Sequence, residues 1–311
     1  MRKKVKFGVV GLGHIGKRHV KCIINHKKAC LNSIYDILPT QDFINSDLLV
    51  SSFSELINKD IDVVNICTPN NLHANMAIDA LMAGKHVVIE KPMALTTHDA
   101  QMIVDTALKF DKYVFCVMQN RFSPTIIWIK DIIEKQLLGK IHMISLNCFW
   151  NRNKDYYLNS QWHGSKEKDG GPLFTQFSHF IDIIYWLFGA IDQVHPDFFF
   201  FRKKKYIEFE DSGIVKFNFS NNTIGVLNYS TAVWNKNMES SITMIGEYGS
   251  VKIGGQYMDK VIYCDIKDYT QPVMDAKIEC NDYGTYKGSA SNHDKMIENV
   301  VKVLIDNASV H

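Results

Sequence analysis

The sequence predicts an α/β protein of two domains, an N-terminal domain on a parallel sheet and a C-terminal α+β domain on a mostly antiparallel sheet. Three observations predict this division. Short apolar runs alternate with helical patterns up to Arg121, whereas strand-like runs follow one another directly over most of the remaining chain. A glycine-rich turn separates the first apolar run from the first helical pattern. The length of 311 residues also suits two domains of about 150 residues each.

The N-terminal domain, residues 1–121, contains apolar strands joined by helices. We predict strands over Val5–Val10, Asn32–Asp36, Asp62–Cys67, His86–Glu90 and Tyr113–Val117. The spacing of apolar residues predicts helices over Ile15–Asn25 and Leu72–Ala83, the second ending at Gly84. Strands that are apolar throughout and joined by helices are typical of a parallel sheet covered on both faces.

The C-terminal domain, residues 122–311, begins with helices and ends in strands. We predict helices over Thr125–Gln136 and Phe174–Phe188. The predicted strands are Lys140–Trp150, Val194–Phe201, Tyr206–Phe219, Thr223–Val233, Ser240–Glu247 and a run from Val251 onward. Polar breaks at Asn221-Asn222 and Tyr248-Gly249 are typical of hairpin turns, so these strands should pair in an antiparallel manner.

The composition excludes several function classes. A formal charge of +2 argues against nucleic acid and anionic membranes as partners, and the basic run Arg202 to Lys205 is interpreted as a solvated turn. The seven cysteines form no C-x-x-C pair, which favours reduced thiols, no metal site and a cytoplasmic protein. The N-terminal segment lacks the pattern of a signal peptide, and no apolar stretch reaches the ~20 residues that span a bilayer.

Gly11, Gly13 and Gly16 form a G-x-G-x-x-G pattern between the first strand and the first helix, which predicts a Rossmann fold. These glycines allow a tight turn, close approach of a pyrophosphate and close helix–strand packing. Asp36 follows Gly16 by twenty residues and suits the adenosine ribose hydroxyls. No arginine follows Asp36 directly, so NAD is favoured over NADP. A glycine turn without a nucleotide is the alternative.

Lys91 and His179 are the candidate catalytic residues. Lys91 follows the fourth strand within Glu90-Lys91-Pro92, at the carboxyl edge where ligands bind to such sheets. His179 shares a helical face with Thr175 and Asp182. A neutral imidazole can take the proton of an alcohol, and a nearby ammonium can stabilise the alkoxide while hydride leaves. A solvated lysine and a core histidine are the alternatives.

The ordered motifs resemble the Gfo/Idh/MocA oxidoreductases over nearly the whole chain. They are Gly11 to Gly16, Cys67-Thr68-Pro69-Asn70 with His73, Glu90-Lys91-Pro92, and Gly170-Gly171 leading to His179 and Asp182. The resemblance implies an open-faced C-terminal sheet, oxidation or reduction of cyclic polyols and sugars with NAD(P), catalytic roles for Lys91 and His179, and a homodimer or homotetramer formed through that sheet. Thr175 replaces the family's usual aspartate, which argues against the inositol-dehydrogenase type. The implied cofactor contacts are Gly11, Gly13, His14, Ile15, Gly16, Asp36, Thr68, Pro69, Asn70, His73, Glu90, Lys91 and Gln119.

A further set of residues is similar to the nucleotide-sugar branch of that family, which includes UDP-N-acetyl-2-amino-2-deoxyglucuronate 3-dehydrogenases. The implied substrate contacts are Lys91, Asn120, Arg121, Asn151, Arg152, Tyr156, Tyr157, Trp162, Thr175, Gln176 and His179. Arginines can hold a uronate carboxylate or a diphosphate, and aromatic rings can stack on a sugar or a uracil. The alternative is that these aromatic residues pack at the domain junction.

The resulting expectation is NAD-dependent oxidation of a sugar ring hydroxyl, at C3 of a UDP-linked N-acetylamino uronate or a related nucleotide sugar. Two other functions stay open at this point. One is a dehydrogenase of a free polyol, aldose or deoxysugar. The other is a non-catalytic NAD-binding regulator, since a fold does not dictate its function.

Overall fold

The computed structural model describes residues 4–38, 46–202, 206–274, 280–282 and 287–310. The chain divides into two compact units. The first unit comprises Met1–Met118 together with Asn292–His311, and the second comprises Gln119–Ser291. The basic run expected to form a turn, Arg202 to Lys205, lies mostly outside the described residues.

The first unit contains a five-stranded parallel sheet in the order β2-β1-β3-β4-β5, which confirms the predicted Rossmann fold. Its strands are β1 (Val5–Val10), β2 (Ala29–Tyr35), β3 (Val63–Ile66), β4 (His86–Ile89) and β5 (Val114–Cys116). Residues of β3 and β4 are almost all buried, as expected for strands covered on both faces. The carboxyl ends of β1, β3 and β4 therefore lie along one edge of the sheet.

Within the described residues of the first unit, four helices connect these strands. They are α1 (His14–Asn25), α2 (Phe53–Ile57), α3 (His73–Met82) and α4 (Thr97–Lys109). Short 3-10 turns over Ser46–Leu48 and Asn70–Leu72 precede α2 and α3. The helix α4 was not among the predicted elements, although its Thr96 accepts a hydrogen bond from the Asp99 N–H in the usual manner of an N-cap.

The second unit contains a seven-stranded sheet in the order β12-β11-β10-β6-β9-β8-β7. Its strands are β6 (Ile141–Phe149), β7 (Gln193–Phe199), β8 (Ser212–Asn218), β9 (Ile224–Ser230), β10 (Glu239–Gly246), β11 (Gly249–Gly254) and β12 (Lys260–Ile266). All neighbouring strands are antiparallel except β6 and β9. A separate pair, β13 (Cys280–Asp282) and β14 (Lys287–Ala290), is also antiparallel.

One face of this sheet packs against helices. The helices of the second unit are α5 (Pro124–Glu134), α6 (Lys154–Leu158), α7 (Pro172–Thr175) and α8 (Ser178–Phe188), with a 3-10 turn over Gln119–Phe122. The core contains apolar side chains of α5, α8 and the sheet, among them Phe217, together with Trp150 directly after β6 and Phe177 directly before α8. The predicted single helix over Phe174–Phe188 is wrong, because the Phe177 N–H bonds back to the Pro172 carbonyl and closes α7.

The C-terminal helix α9 (His293–Asp306) packs on α1 and β1 of the first unit. The expected domain ranges, 1–121 and 122–311, therefore differ from the observed units at the C-terminal end. The reason is the apolar face of α9, where Met296, Ile297, Val300 and Val301 are each at most 1% exposed. Within the described residues, the helices include none with the length and apolar character needed to cross a membrane.

Candidate active site

The glycine-rich loop between β1 and α1 has the geometry that a dinucleotide requires. Gly11 has φ +88°, and a Cβ there would lie 2.6 Å from the Cys67 carbonyl oxygen. A Cβ on Gly16 would lie 1.7 Å from the Gly11 carbonyl oxygen, so α1 packs too closely for any side chain. A Cβ on Gly13 would meet nothing within 4 Å, which leaves room for a pyrophosphate beside the start of α1. The loop fits the cofactor.

Asp36 lies directly after β2 and is bound to the same loop. Its carboxylate accepts hydrogen bonds from the Leu12 N–H and, at 2.7 Å, from the Leu38 N–H. An ionised carboxylate accepts several hydrogen bonds, so sites remain for ribose hydroxyls. The exposed Ile37 and Leu38 follow it, and neither offers a positive charge to a 2′-phosphate. This arrangement favours NAD over NADP.

The loops after β3 and β4 are tied together by His73. Its Nδ1 lies 2.7 Å from the Pro92 carbonyl oxygen, and its Nε2 lies 2.9 Å from the Thr68 carbonyl oxygen. Burial lowers the pKa of His73, and the two carbonyl contacts only partly oppose that effect. Because the ring is 0% exposed, His73 can contribute to cofactor binding only through these loops.

The predicted cofactor residues of the first unit differ in how exposed they are. Gly13 and His14 are exposed, and several others are half-buried, namely Gly11, Ile15, Asp36, Thr68, Pro69 and Lys91. Gly16, Asn70, His73 and Glu90 are buried. Glu90 faces inward towards His19 and His293 rather than outward, while the backbone N–H of Lys91 lies 3.3 Å from Glu90 Oε2. The Lys91-Pro92 peptide bond is cis.

In the second unit, His179 lies in the first turn of α8 and is 1% exposed. Thr175 belongs to α7 rather than to the same helix, so the predicted continuous stripe is interrupted. Its hydroxyl donates to the carboxylate of Asp169, a buried group that also accepts the Gly164 N–H at 2.8 Å. Asp169 therefore places a carboxylate beside the position at which the family's aspartate is replaced by Thr175.

Arg121 is paired with Asp182 of α8. Its Nε donates to Asp182 Oδ2 at 2.8 Å and its Nη2 donates to Oδ1, which is the two-point geometry typical of arginine and carboxylate. The guanidinium also lies 5.6 Å from the Trp186 ring. The neighbouring Gln119 and Asn120 are buried at 2% and 5% exposure. Substrate contacts by Arg121 and Asn120, and a cofactor contact by Gln119, stay predictions.

Arg152 and Asn151 hold the loop after β9. The Arg152 Nη1 donates to the Asn151 carbonyl at 2.6 Å, and the Asn151 N–H donates to Asn237 Oδ1 at 3.0 Å. The Arg152 guanidinium lies 5.0 Å from the Trp150 ring and 5.1 Å from the Tyr156 ring, and the residue is 3% exposed. An anion could reach Arg152 only if this packing opened.

The predicted aromatic residues have different environments. Tyr157 is 3% exposed and packs in a small cluster with Ile207 and Phe209. The hydroxyl of Tyr156 accepts a hydrogen bond from Gln176 Nε2 at 2.8 Å. Trp162 is only half-buried. Packing within the second unit therefore accounts for Tyr157, whereas the Trp162 ring lies 4.0 Å from the His163 ring and its substrate contact stays a prediction.

A cavity of about 440 Å³ that the sequence patterns do not predict lies in the second unit, next to Asn151. Two cationic side chains, Lys154 and Arg202, line it together with Trp234, which is 91% exposed. Arg202 was interpreted as part of a solvated turn, yet its guanidinium donates to the Arg152 carbonyl. The sequence offers no local signal for this cavity, because its basic and aromatic residues come from distant loops that only the fold brings together.

Comparison with known proteins identifies the class of both units. Residues 5–117 match the oxidoreductase family with an NAD-binding Rossmann fold, and residues 126–252 match the C-terminal domain of the Gfo/Idh/MocA proteins. The chain therefore belongs to the Gfo/Idh/MocA oxidoreductase family, as its motifs suggested. Its first unit is an NAD-binding Rossmann domain.

Individual relatives differ in their substrates. The structure of the WlbA dehydrogenase from Bordetella pertussis in complex with NADH and UDP-GlcNAcA is 30% identical, with a TM-score of 0.88 over 99% of this chain and 90% of that chain. Inositol 2-dehydrogenase of Salmonella typhimurium is 27% identical over 59% of this chain. Glucose-6-phosphate 3-dehydrogenase of Bacillus subtilis is 28% identical over 60% of it. The matches cover 54% of each of these two relatives.

Proposed function

We propose that this oxidoreductase removes hydride from C3 of a UDP-linked N-acetylamino uronate, or a related nucleotide sugar, and transfers it to NAD. One observation carries the proposal: the similarity to the WlbA dehydrogenase extends over 99% of the chain, and that protein was crystallised with NADH and UDP-GlcNAcA. The open space beside Gly13 supports the cofactor part of the proposal.

In the proposed mechanism, the bound nicotinamide supplies the acceptor of the hydride and its two electrons. The imidazole of His179 takes the proton of the same hydroxyl, so that the alcohol becomes a ketone. The ammonium of Lys91 donates a hydrogen bond to the oxygen as negative charge develops on it. Because His179 is 1% exposed, this role requires that its ring become accessible to the substrate.

The cavity beside Asn151 supports a charged, aromatic-bearing substrate. Lys154 and Arg202 can neutralise part of a diphosphate, and Trp234 offers a face for a base or sugar ring. A free polyol or aldose would leave these cations without an anionic partner.

Calorimetric titration with UDP, followed by NADH fluorescence with UDP-GlcNAcA, tests the proposal. We expect measurable UDP binding and NADH formation that depends on the uronate sugar. A Lys154→Ala variant should weaken UDP binding, while Lys260→Ala, on β12, serves as a matched charge control. No UDP affinity combined with turnover of unphosphorylated sugars would contradict the nucleotide-sugar assignment.

A sugar without a nucleotide is the second candidate, favoured by the similarity to inositol and glucose-6-phosphate dehydrogenases. Of these two types, the inositol dehydrogenase is the less favoured, because Thr175 stands where the family usually has an aspartate. If neither sugar class is oxidised while NADH binds tightly, the chain is a non-catalytic NAD-binding regulator. NADH fluorescence in the presence of each sugar class separates these outcomes.

We further propose that the chain forms a homodimer or homotetramer through the face of the C-terminal sheet that lies opposite α5 and α8. That face exposes large apolar side chains, among them Met143, Ile214, Ile224, Ile245 and Ile262. Light scattering after gel filtration should give a multiple of the chain mass of 35.7 kDa, and Ile224→Glu should shift the measured mass towards that of the monomer.

The free thiols of Cys22, Cys67 and Cys148 support a reducing, cytoplasmic location.

A further inference from the structure

Three buried side chains meet inside the first unit, although they are far apart in the sequence. His19 lies on α1, Glu90 directly follows β4, and His293 begins α9; their exposures are 1%, 7% and 2%. His19 Nε2 lies 2.9 Å from Glu90 Oε1, and His293 Nε2 lies 3.4 Å from the same oxygen. We call these residues the His–Glu–His cluster.

The charges of the cluster follow from its burial and its contacts. Burial alone would raise the pKa of Glu90, but the two imidazoles hold that pKa well below its usual value. Burial alone would lower the pKa of His19, but Cys67 and Glu90 raise it to about 10. Burial lowers the pKa of His293 despite its contact with Glu90. The cluster is therefore an imidazolium–carboxylate pair with a neutral second imidazole.

Asn65 completes the hydrogen bonding of His19. Its Nδ2 lies 2.8 Å from His19 Nδ1, while among the described residues its buried Oδ1 has no hydrogen-bond partner. Exchanging the two amide positions lets Oδ1 accept the Nδ1–H of the imidazolium. Both nitrogens of His19 then have partners, so its place in the cluster needs no metal ion, whereas the 3.4 Å contact of His293 with Glu90 falls outside hydrogen-bond geometry.

The cluster is connected to Lys91 through the main chain. Glu90 directly precedes Lys91, and its Oε2 lies 3.3 Å from the Lys91 backbone nitrogen. The next residue, Pro92, is held by His73 through its carbonyl oxygen. A carboxylate that is hydrogen-bonded to His19 and lies 3.4 Å from His293 can thus fix the turn from which the Lys91 amine projects.

We propose that His293 is a positioning residue for Lys91 and acts through the Glu90 carboxylate. The inference rests on the proposed function, because Lys91 is the group that is positioned. A purely structural role would be to attach α9 to the first unit. A matched contact separates the two roles: His26 Nε2, at the end of α1, lies 2.6 Å from Glu298 Oε2 on α9 and is remote in sequence from the Lys91 turn.

The test compares three variants of the full chain with NAD and the sugar that it oxidises. His293→Leu fills the site without a hydrogen-bond donor, and we expect kcat to fall by about tenfold to 100-fold because a small misplacement of a catalytic group is costly. His293→Gln keeps an N–H donor and should restore kcat. His26→Leu removes a contact that is remote in sequence from the Lys91 turn. It should therefore lower Tm while changing kcat by no more than about twofold.

Equal losses of kcat in His293→Leu and His26→Leu, or unchanged kcat in His293→Leu, would overturn the proposal. NADH affinity should stay the same in all three variants. Bound metal in the purified protein at one ion per chain, lost in His293→Leu, would also overturn it, because the cluster would then be a metal site.

A readout without turnover keeps the inference separate from the proposed function. Lysines are methylated with ¹³C, and the Lys91 resonance is identified by its absence in Lys91→Arg. We expect its chemical shift to change in His293→Leu and to stay in place in His26→Leu. If no sugar is oxidised but this pattern appears, the proposed function fails and the positioning role stands. If the Lys91 resonance is the same in His293→Leu and wild type, the positioning role fails.

Discussion

The two units differ in what their predicted site residues do. In the first unit, Gly11, Gly13 and Gly16 form a loop whose backbone leaves space for a ligand, and Asp36 accepts a hydrogen bond from that loop. In the second unit, the predicted polar and aromatic side chains mostly bond to one another, as Arg121 does with Asp182. A backbone motif fixes a site by its geometry, whereas a set of side chains can serve packing and binding with the same residue types.

The largest effect should come from the groups that distinguish a catalyst from a binding protein. Lys91→Ala and His179→Ala should each lower kcat by about 10²-fold to 10⁴-fold, because each removes a proton-transfer or charge-stabilising group. NADH binding, measured by fluorescence, should persist in both variants. If each variant keeps turnover within a few-fold of wild type, the first unit binds NAD without the proposed chemistry.

A second effect tests whether Tyr157 belongs to the core while Trp162 belongs to the site. Tyr157→Ala should lower the free energy of unfolding by about 3–5 kcal/mol, the usual cost of removing a buried aromatic ring. Trp162→Ala should change stability little and raise KM for the sugar. Denaturant titration and steady-state kinetics measure the two quantities. The reverse pattern, a stable Tyr157→Ala with a raised KM, would make Tyr157 a binding residue.

A third effect compares two glycines of the same loop. Gly16→Ala should destabilise the fold by about 1–3 kcal/mol, because its Cβ would meet the Gly11 carbonyl and force α1 away. Gly13→Ala should leave Tm unchanged, since its Cβ meets nothing, yet it should weaken NADH binding. Thermal melts and NADH titration distinguish the two. Unchanged NADH affinity in Gly13→Ala would mean that the pyrophosphate lies elsewhere.

A fourth effect concerns the dependence of stability on pH. His19 has a pKa of about 10 in the folded chain, above its value of about 6.5 when unfolded. Its contribution to stability is therefore complete below pH 6.5 and is lost as pH rises towards 10. We expect Tm to fall over this range more in wild type than in His19→Gln. Parallel curves for the two proteins would show that His19 is not the titrating group.

Most of the fold followed from local sequence patterns. The strands of the first unit and the glycine loop were predictable because apolar runs and G-x-G-x-x-G each have a local physical cause. The break between two helices after Thr175 was not predictable, because it depends on a hydrogen bond from the Phe177 N–H to the Pro172 carbonyl. The return of α9 to the first unit also depends on contacts between distant segments.

The candidate site shows the same limit. The residues next to strand ends, Lys91 and Asp36, were predictable from topology. The partners of the polar residues were not, because the pairing of Asp182 with Arg121 and the burial of Arg152 arise only when loops meet. The cationic cavity that includes Lys154 and Arg202 had no local signature at all.

Isotope transfer in a single turnover tests the central claim most directly. The enzyme, one equivalent of NAD and UDP-GlcNAcA carrying deuterium at C3 are mixed, and the nicotinamide product is analysed by mass spectrometry whether or not it leaves the protein. We expect one deuterium in the reduced nicotinamide and a ketone at C3 of the sugar. Reduced nicotinamide without deuterium, or no reduction with bound NAD and bound sugar, would contradict hydride transfer from that carbon.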